Sequence, residues 1–211
     1  MKKIFAVALL ALATFTMNAQ DFKKFRFGPT AGLNISTMNL DWDHSSRVGF
    51  NVGALVEYNF TKNFYVGSGL KFTQKGVKWN GIVNNIDDPD LKCNPYYLEI
   101  PLNAAYRYSF NDKLSVFGEV GPYFAFGVGG KYKNGDSSWG YFGDEGEDFM
   151  EMLTGEEIRA KRFDFGLGFA AGVEYAKFQL RVGYELGLTK AFNVDGSAKT
   201  RNLYVGLAYM F

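Results

Sequence analysis

The feature that most constrains this chain is an alternation of large apolar with small or polar residues, period two, that returns eight times along the sequence. Its cleanest run sets Phe163, Phe165, Leu167, Phe169, Ala171, Val173 and Tyr175 against Asp164, Gly166, Gly168, Ala170, Gly172 and Glu174. Successive strand side chains point to opposite faces, so such a run predicts a β-strand with one apolar face. Similar runs cover residues 27–36, 48–58, 64–73, 98–108, 114–126, 178–189 and 202–211, and only Leu55 interrupts the second of these. After the N-terminal segment no apolar stretch reaches the ~18 residues of a membrane helix. Each run instead has close to the ~9–11 residues with which a tilted strand crosses a bilayer.

The connections alternate in length. Residues 59–63, 109–113 and 176–177 are tight turns, whereas 37–47, 74–96, 129–161 and 190–201 are long and polar. This predicts an all-β fold: an eight-stranded antiparallel up-and-down transmembrane β-barrel with short periplasmic turns and long extracellular loops. An even strand count returns both termini to the short-turn side.

Alternation alone does not decide whether the apolar face meets lipid or lines a soluble binding cavity. The other parity does. It is rich in Gly and Ala, which suit a crowded interior and make a poor solvent face. It also carries Glu57, Lys71, Glu99, Arg107, Glu119, Asp164, Glu174, Arg181 and Glu185. A midplane Arg or Lys turned to lipid would cost ~2–4 kcal/mol, so these charges must face the lumen. Six acids against three bases call for paired networks, helped by a further base such as Arg26. Eight strands leave an interior only wide enough for side chains, so the charges read as a plug. On the apolar parity Phe27, Tyr58, Phe60, Phe64, Tyr106, Tyr108, Tyr175, Phe178, Tyr209 and Phe211 fall at the short-turn ends, as an interfacial aromatic girdle should.

Residues 1–19 read as a cleaved signal peptide: Lys2 and Lys3, an apolar run from Ile4 to Phe15, and a small residue at Ala19. The barrel then occupies residues 20–211. Without those two lysines, 21 of the 23 basic residues stand against 22 acidic ones, a balance that gives no support to a nucleic-acid partner. The single cysteine, Cys93, excludes an intramolecular disulfide and reads as an incidental loop thiol.

Few residues suggest chemistry. The only histidine, His44, stands beside Ser45 and Ser46 and close to Asp41 and Asp43, the residue types of a nucleophilic triad. Neighbours on one loop rarely hold triad geometry, and a polar loop tip is the expectation. The segment Gly143 to Leu153 is acidic, with Phe149, Met150, Met152 and Leu153 on a short surface helix and Thr154 and Glu157 at capping-box spacing. Its acids lack the alternating ligand spacing of a calcium loop and read as a solvated surface. No catalytic, cofactor-binding or metal-binding residue is assigned. The loop from Gly129 to Arg162, with Trp139, Tyr141, Phe142 and Phe149 among its acids, is expected to contact a partner.

The segment Tyr96-Tyr97-Leu98-Glu99-Ile100-Pro101-Leu102, the glycine-rich strands and the terminal Tyr204-Val205-Gly206-Leu207-Ala208-Tyr209-Met210-Phe211 resemble the outer-membrane β-barrel domain often labelled porin-family or PorT-like. The resemblance covers nearly the whole chain after the leader. It implies a bacterial outer membrane, outer-membrane lipid around the wall, a terminal aromatic read by the barrel-assembly machinery and, for some members, a link to protein secretion or gliding. No functional residue of those members carries over. The expected function is a structural or interaction module working through its extracellular loops without an open pore, with a surface or secretion protein as partner and no cofactor. The alternatives are a narrow transport or secretion accessory and a lipid-modifying enzyme.

Overall fold

A computed structural model describes residues 24–39, 44–83, 86–155, 157–193 and 198–211. The leader expected over residues 1–19 lies outside the described residues, as do Asp41 and Asp43. Every alternating run forms a strand. The strands are β1 (Phe25–Asn39), β2 (His44–Asn59), β3 (Phe64–Gln74), β4 (Val77–Val83), β5 (Ile86–Ser109), β6 (Leu114–Asn134), β7 (Ser137–Gly140), β8 (Phe163–Tyr175), β9 (Phe178–Lys190) and β10 (Lys199–Tyr209), with a helix, α1 (Asp144–Thr154), between β7 and β8.

Eight of these strands close a ring by antiparallel pairing, in the order β1, β2, β3, β5, β6, β8, β9, β10 and back to β1. Closure removes sheet edges, which lipid cannot satisfy with hydrogen bonds. One apolar residue from each strand of the ring, Leu33, Val52, Leu70, Ile100, Phe124, Phe169, Leu180 and Val205, is 42–62% exposed. An apolar belt of that extent around a closed sheet is a lipid-facing surface.

The tight turns occur where expected. In the second, the Asn111 side-chain oxygen accepts the backbone N–H groups of Lys113 and Leu114 at 2.9 and 2.8 Å. In the third, Ala176 adopts φ 56°, the left-handed backbone a two-residue hairpin needs. Girdle rings meet in local groups: Phe25 on Tyr58, Tyr58 on Phe60, Phe64 on Tyr106, Tyr108 on Phe110, Phe178 on Tyr209 and Tyr209 on Phe211, all with ring centroids 4.8–5.1 Å apart.

The glycines of the inner parity make room for aromatic rings. Phe117 is in register with Gly172, Tyr123 with Gly166 and Tyr204 with Gly183. A Cβ on Gly172 would come within 2.3 Å of the Phe117 ring, and one on Gly183 equally close to that of Tyr204. Ring and glycine are therefore one packing unit. Leu55 breaks the sequence pattern because it too points inward, packed with Ala208 and Met210.

The extracellular side departs from expectation. The loop expected at 74–96 is largely strand, and the one expected at 129–161 holds the end of β6, then β7 and a helix: β4 prolongs β3 after Lys75 and Gly76, β5 runs for 24 residues, β6 for 21, and β7 forms a hairpin with the end of β6. The cause is an inversion of the pattern in β4 and β5 where the wall leaves the lipid, and in β6 a register shift between Gly127 and Gly129 that turns the same parity inward. Val77, Trp79, Leu91, Cys93 and Tyr132 are buried inside, while Lys78, Lys92, Lys131 and Lys133 occupy the alternate positions. Water now lies outside, so apolar side chains turn inward. Cys93 is thus a buried strand residue and not a loop thiol.

The helix expected near Phe149 exists as α1, with Phe149 and Met150 buried and Met152 exposed. Thr154 is not a cap: it ends α1, and its hydroxyl donates to the Met150 carbonyl at 2.8 Å. The helix begins at Gly143, with no side-chain cap, and closes on Gly155 in the left-handed conformation, φ 74°.

Candidate functional site

All nine lumen charges read from the sequence are buried inside the ring. They form two layers. Toward the periplasm, Arg26 on β1 donates to Glu57 on β2 at 3.2 Å and to Glu174 on β8 at 2.6 and 3.1 Å. Arg107 on β5 donates to the same Glu57, and Gln179 bridges Glu57 and Glu174 at 2.9 and 2.8 Å. Arg181 on β9 grips Glu119 on β6 with both terminal nitrogens, at 3.0 and 2.8 Å, and Glu119 also accepts the Tyr65 hydroxyl at 2.7 Å. The guanidinium groups lie over aromatic faces, Arg107 over Tyr65 at 4.4 Å and Arg181 over Phe117 at 4.9 Å.

The second layer lies nearer the cell surface. Lys71 on β3 pairs with Glu99 on β5 at 2.6 Å and with Glu185 on β9 at 3.2 Å. Lys75 meets the same two carboxylates at 2.6 and 2.9 Å and stands over the Tyr123 ring at 4.2 Å. Asp164 accepts from Tyr123, Thr200 and Thr189 at 3.1, 2.9 and 3.1 Å. Six acids (Glu57, Glu99, Glu119, Asp164, Glu174, Glu185) therefore meet five bases (Arg26, Lys71, Lys75, Arg107, Arg181).

Lys75 is the member the sequence reading missed, assigned there to a loop. Its parity with Lys71 and Thr73 was the available signal. A cavity of about 30 Å³ lies between the layers, lined by Asn51, Lys71, Glu119, Arg181, Glu185 and Tyr204 among others. At the ~10–15 Å³ of such space that one water needs, it has room for about two or three water molecules.

Over the mouth sits an apolar cap. Met38, Val77, Trp79, Leu91, Cys93 and Tyr132 from the wall pack against Tyr141, Phe149, Met150, Ile158 and Phe192 from the connections. Rings stack within it, Trp139 on Phe149 at 4.3 Å and Tyr132 on Tyr141 at 4.8 Å. Burial pushes the Cys93 thiol and the Tyr132 and Tyr141 phenols well above their ordinary pKa values. This corrects the view of the 129–162 segment as an aromatic contact surface: Tyr141 and Phe149 are buried, and Trp139 and Phe142 pack against the same core. What α1 exposes is Asp144, Glu145, Asp148, Glu151 and Met152.

The two acids of the His44 cluster, Asp41 and Asp43, lie outside the described residues. His44, Ser45 and Ser46 are consecutive residues of β2, paired with Trp79, Lys78 and Val77, so alternation sends His44 and Ser45 to opposite faces. Among the described residues no group of three or more His, Cys, Asp or Glu is placed to hold a metal ion.

A closed eight-strand sheet with an apolar exterior and an ion-paired interior defines a transmembrane barrel of the outer-membrane type. The chain matches the outer membrane protein beta-barrel domain over residues 18–193 and belongs to that family, which places it in the bacterial outer membrane. The outer membrane protein OprG of Pseudomonas aeruginosa shares the fold with a TM-score of 0.51 at 14% identity, over 89% of this chain and 95% of OprG. Ail of Yersinia pestis, solved in complex with the heparin analogue sucrose octasulfate, is similar at TM-score 0.44 and 16% identity, over 90% of this chain and all of Ail. The outer membrane enzyme PagL aligns at TM-score 0.48 and 10% identity, over 87% of this chain and 98% of PagL. No curated protein matches the chain by sequence.

Proposed function

We propose that this protein is a closed outer-membrane barrel that holds an ordered cap at the cell surface, and acts there as a structural or interaction module, neither a pore nor an enzyme. The observation that carries the reading is the double layer of ion pairs filling the lumen. Lys71, Lys75, Arg107 and Arg181 are each held by carboxylates, so the interior groups are committed to one another. The surface left for a partner is the cap, with the acidic face of α1 outermost. Residues 1–19 direct export and are then removed, the mature chain begins at residue 20, and the assembly machinery reads the terminal Phe211.

Planar bilayers test the closed lumen: the full chain is expected to give no stepwise conductance, and steady channels would overturn the reading in favour of transport. Photo-cross-linkers at Asp148 and Met152 in intact cells test the cap. An adduct at these positions that is missing at lipid-facing Val182 is expected; equal or no adducts would contradict an interaction role.

A further inference from the structure

Where the wall rises above the lipid, lysines of three adjacent strands gather on its outer face. The register of β4, β5 and β6 sets Lys78 opposite Lys92, and Lys92 opposite Lys133. Lys131 stands on the same face, two residues nearer the membrane and opposite Asn94. The intervening residues Val77, Trp79, Leu91, Cys93 and Tyr132 are buried inside, so the four lysines share the outward face. Lys131 and Lys133 are exposed and Lys92 half-buried. Among the described residues no carboxylate pairs with Lys92, Lys131 or Lys133. Like charges directly opposite each other destabilise a sheet. With strands ~4.8 Å apart, an ammonium ladder is a cost that an external anion removes.

Height selects the anion. Val128 is the last exposed apolar residue of β6, and Lys131 and Lys133 follow it by three and five positions. At ~3.3 Å per residue and a tilt of ~40°, they stand ~8 and ~13 Å further along the membrane normal. Headgroups flank the ~30 Å hydrocarbon core within a total of ~40–45 Å, and flexible lysine stems reach down into that layer. We propose that Lys92, Lys131 and Lys133, with Lys78 beside them, form a binding site for phosphate groups on the headgroups of outer-leaflet glycolipid, seating the barrel against its own membrane.

The full-length protein in non-ionic detergent is titrated with phosphorylated lipid A and with the same lipid dephosphorylated, following tryptophan fluorescence and lipid retention by native mass spectrometry. Phosphorylated lipid is expected to bind at least tenfold tighter, and the advantage to vanish in K92Q/K131Q/K133Q. It should persist in K62Q/K113Q/K177Q, which removes three lysines from the periplasmic turns. Heat-modified mobility checks folding. If the triple variant misfolds, K131Q and K133Q singly are expected each to lose part of the advantage. Full retention of the advantage in the ladder variants, or equal loss in the turn variant, overturns the site. Competition by inorganic phosphate or by soluble heparin at the lipid's own concentration overturns the lipid as its ligand.

Discussion

The ammonium of Lys71 on β3 lies 3.2 Å from the Glu185 carboxylate on β9, four strands away around a ring of eight, so this ion pair spans the lumen. Glu185 also holds Lys75 and accepts from Asn202 at 2.9 Å. It is the point at which β3, β9 and β10 are tied across the interior. A buried pair need not stabilise a fold against an apolar replacement, but losing one partner is costly because the other charge stays buried.

Glu185→Ala is accordingly expected to destabilise the barrel by ~3–5 kcal/mol, because Lys71 and Lys75 are then left to share Glu99. Urea unfolding in lipid vesicles measures it. An unchanged midpoint would show that the layer contributes nothing to stability.

The cap makes a separate prediction through Cys93, which is fully buried among Val77, Trp79 and Tyr132. Only the thiolate reacts, and burial both hides this thiol and holds it protonated. Maleimide at pH 8 should leave Cys93 unmodified in the folded protein. Replacing residues 134–158 with a short Gly-Ser linker removes Tyr141, Phe149 and Met150 from the cluster. The barrel should stay folded and Cys93 should become reactive, whereas rapid labelling of the intact protein would mean that the cap is not closed.

Phe211 lies just past β10, its backbone N–H donating to the Phe27 carbonyl at 2.9 Å and its ring 5.0 Å from that of Tyr209. Two surface ring contacts, the second with Phe27 at 5.4 Å, and one terminal hydrogen bond contribute little to a ring already closed by β10 and β1. Deleting Phe211 should therefore lower the yield of heat-modifiable barrel in cells severalfold while leaving the unfolding midpoint of the assembled protein nearly unchanged. Equal yields would remove the terminal aromatic from the assembly step.

The membrane part of this fold was legible because lipid outside and a narrow lumen inside impose opposite chemistries on alternate residues. Phe163 to Tyr175 could be read in only one register. Arg26 was legible as a supplementary base for the same reason. The extracellular part was harder to read because there the rule reverses. Val77-Lys78-Trp79 and Leu91-Lys92-Cys93 alternate as strictly as any lipid-facing strand, but with the apolar parity inward, and a search for lipid-facing strands passes over them. Lys75 fell at the crossover and was lost with its neighbours. The burial of Tyr141 and Phe149 was not legible at all, since it depends on the chain returning over the mouth at Ala160 and Phe192, where a lone bridge pairs them. Composition alone gives such aromatics no direction.

The central claim, that the apolar parity faces lipid and the charged parity fills the lumen, is tested most directly by methyl NMR of the unaltered protein in micelles with a nitroxide on the lipid tail. Methyl signals of Leu33, Val52, Leu102, Val182 and Val205, all exposed on the wall, should broaden strongly. Those of Leu55, Ala105, Ala208 and Met210, buried in the lumen, should remain sharp. Broadening of the second set with the first left sharp would mean that the faces are assigned the wrong way round, and broadening of both alike would mean that the sheet does not close.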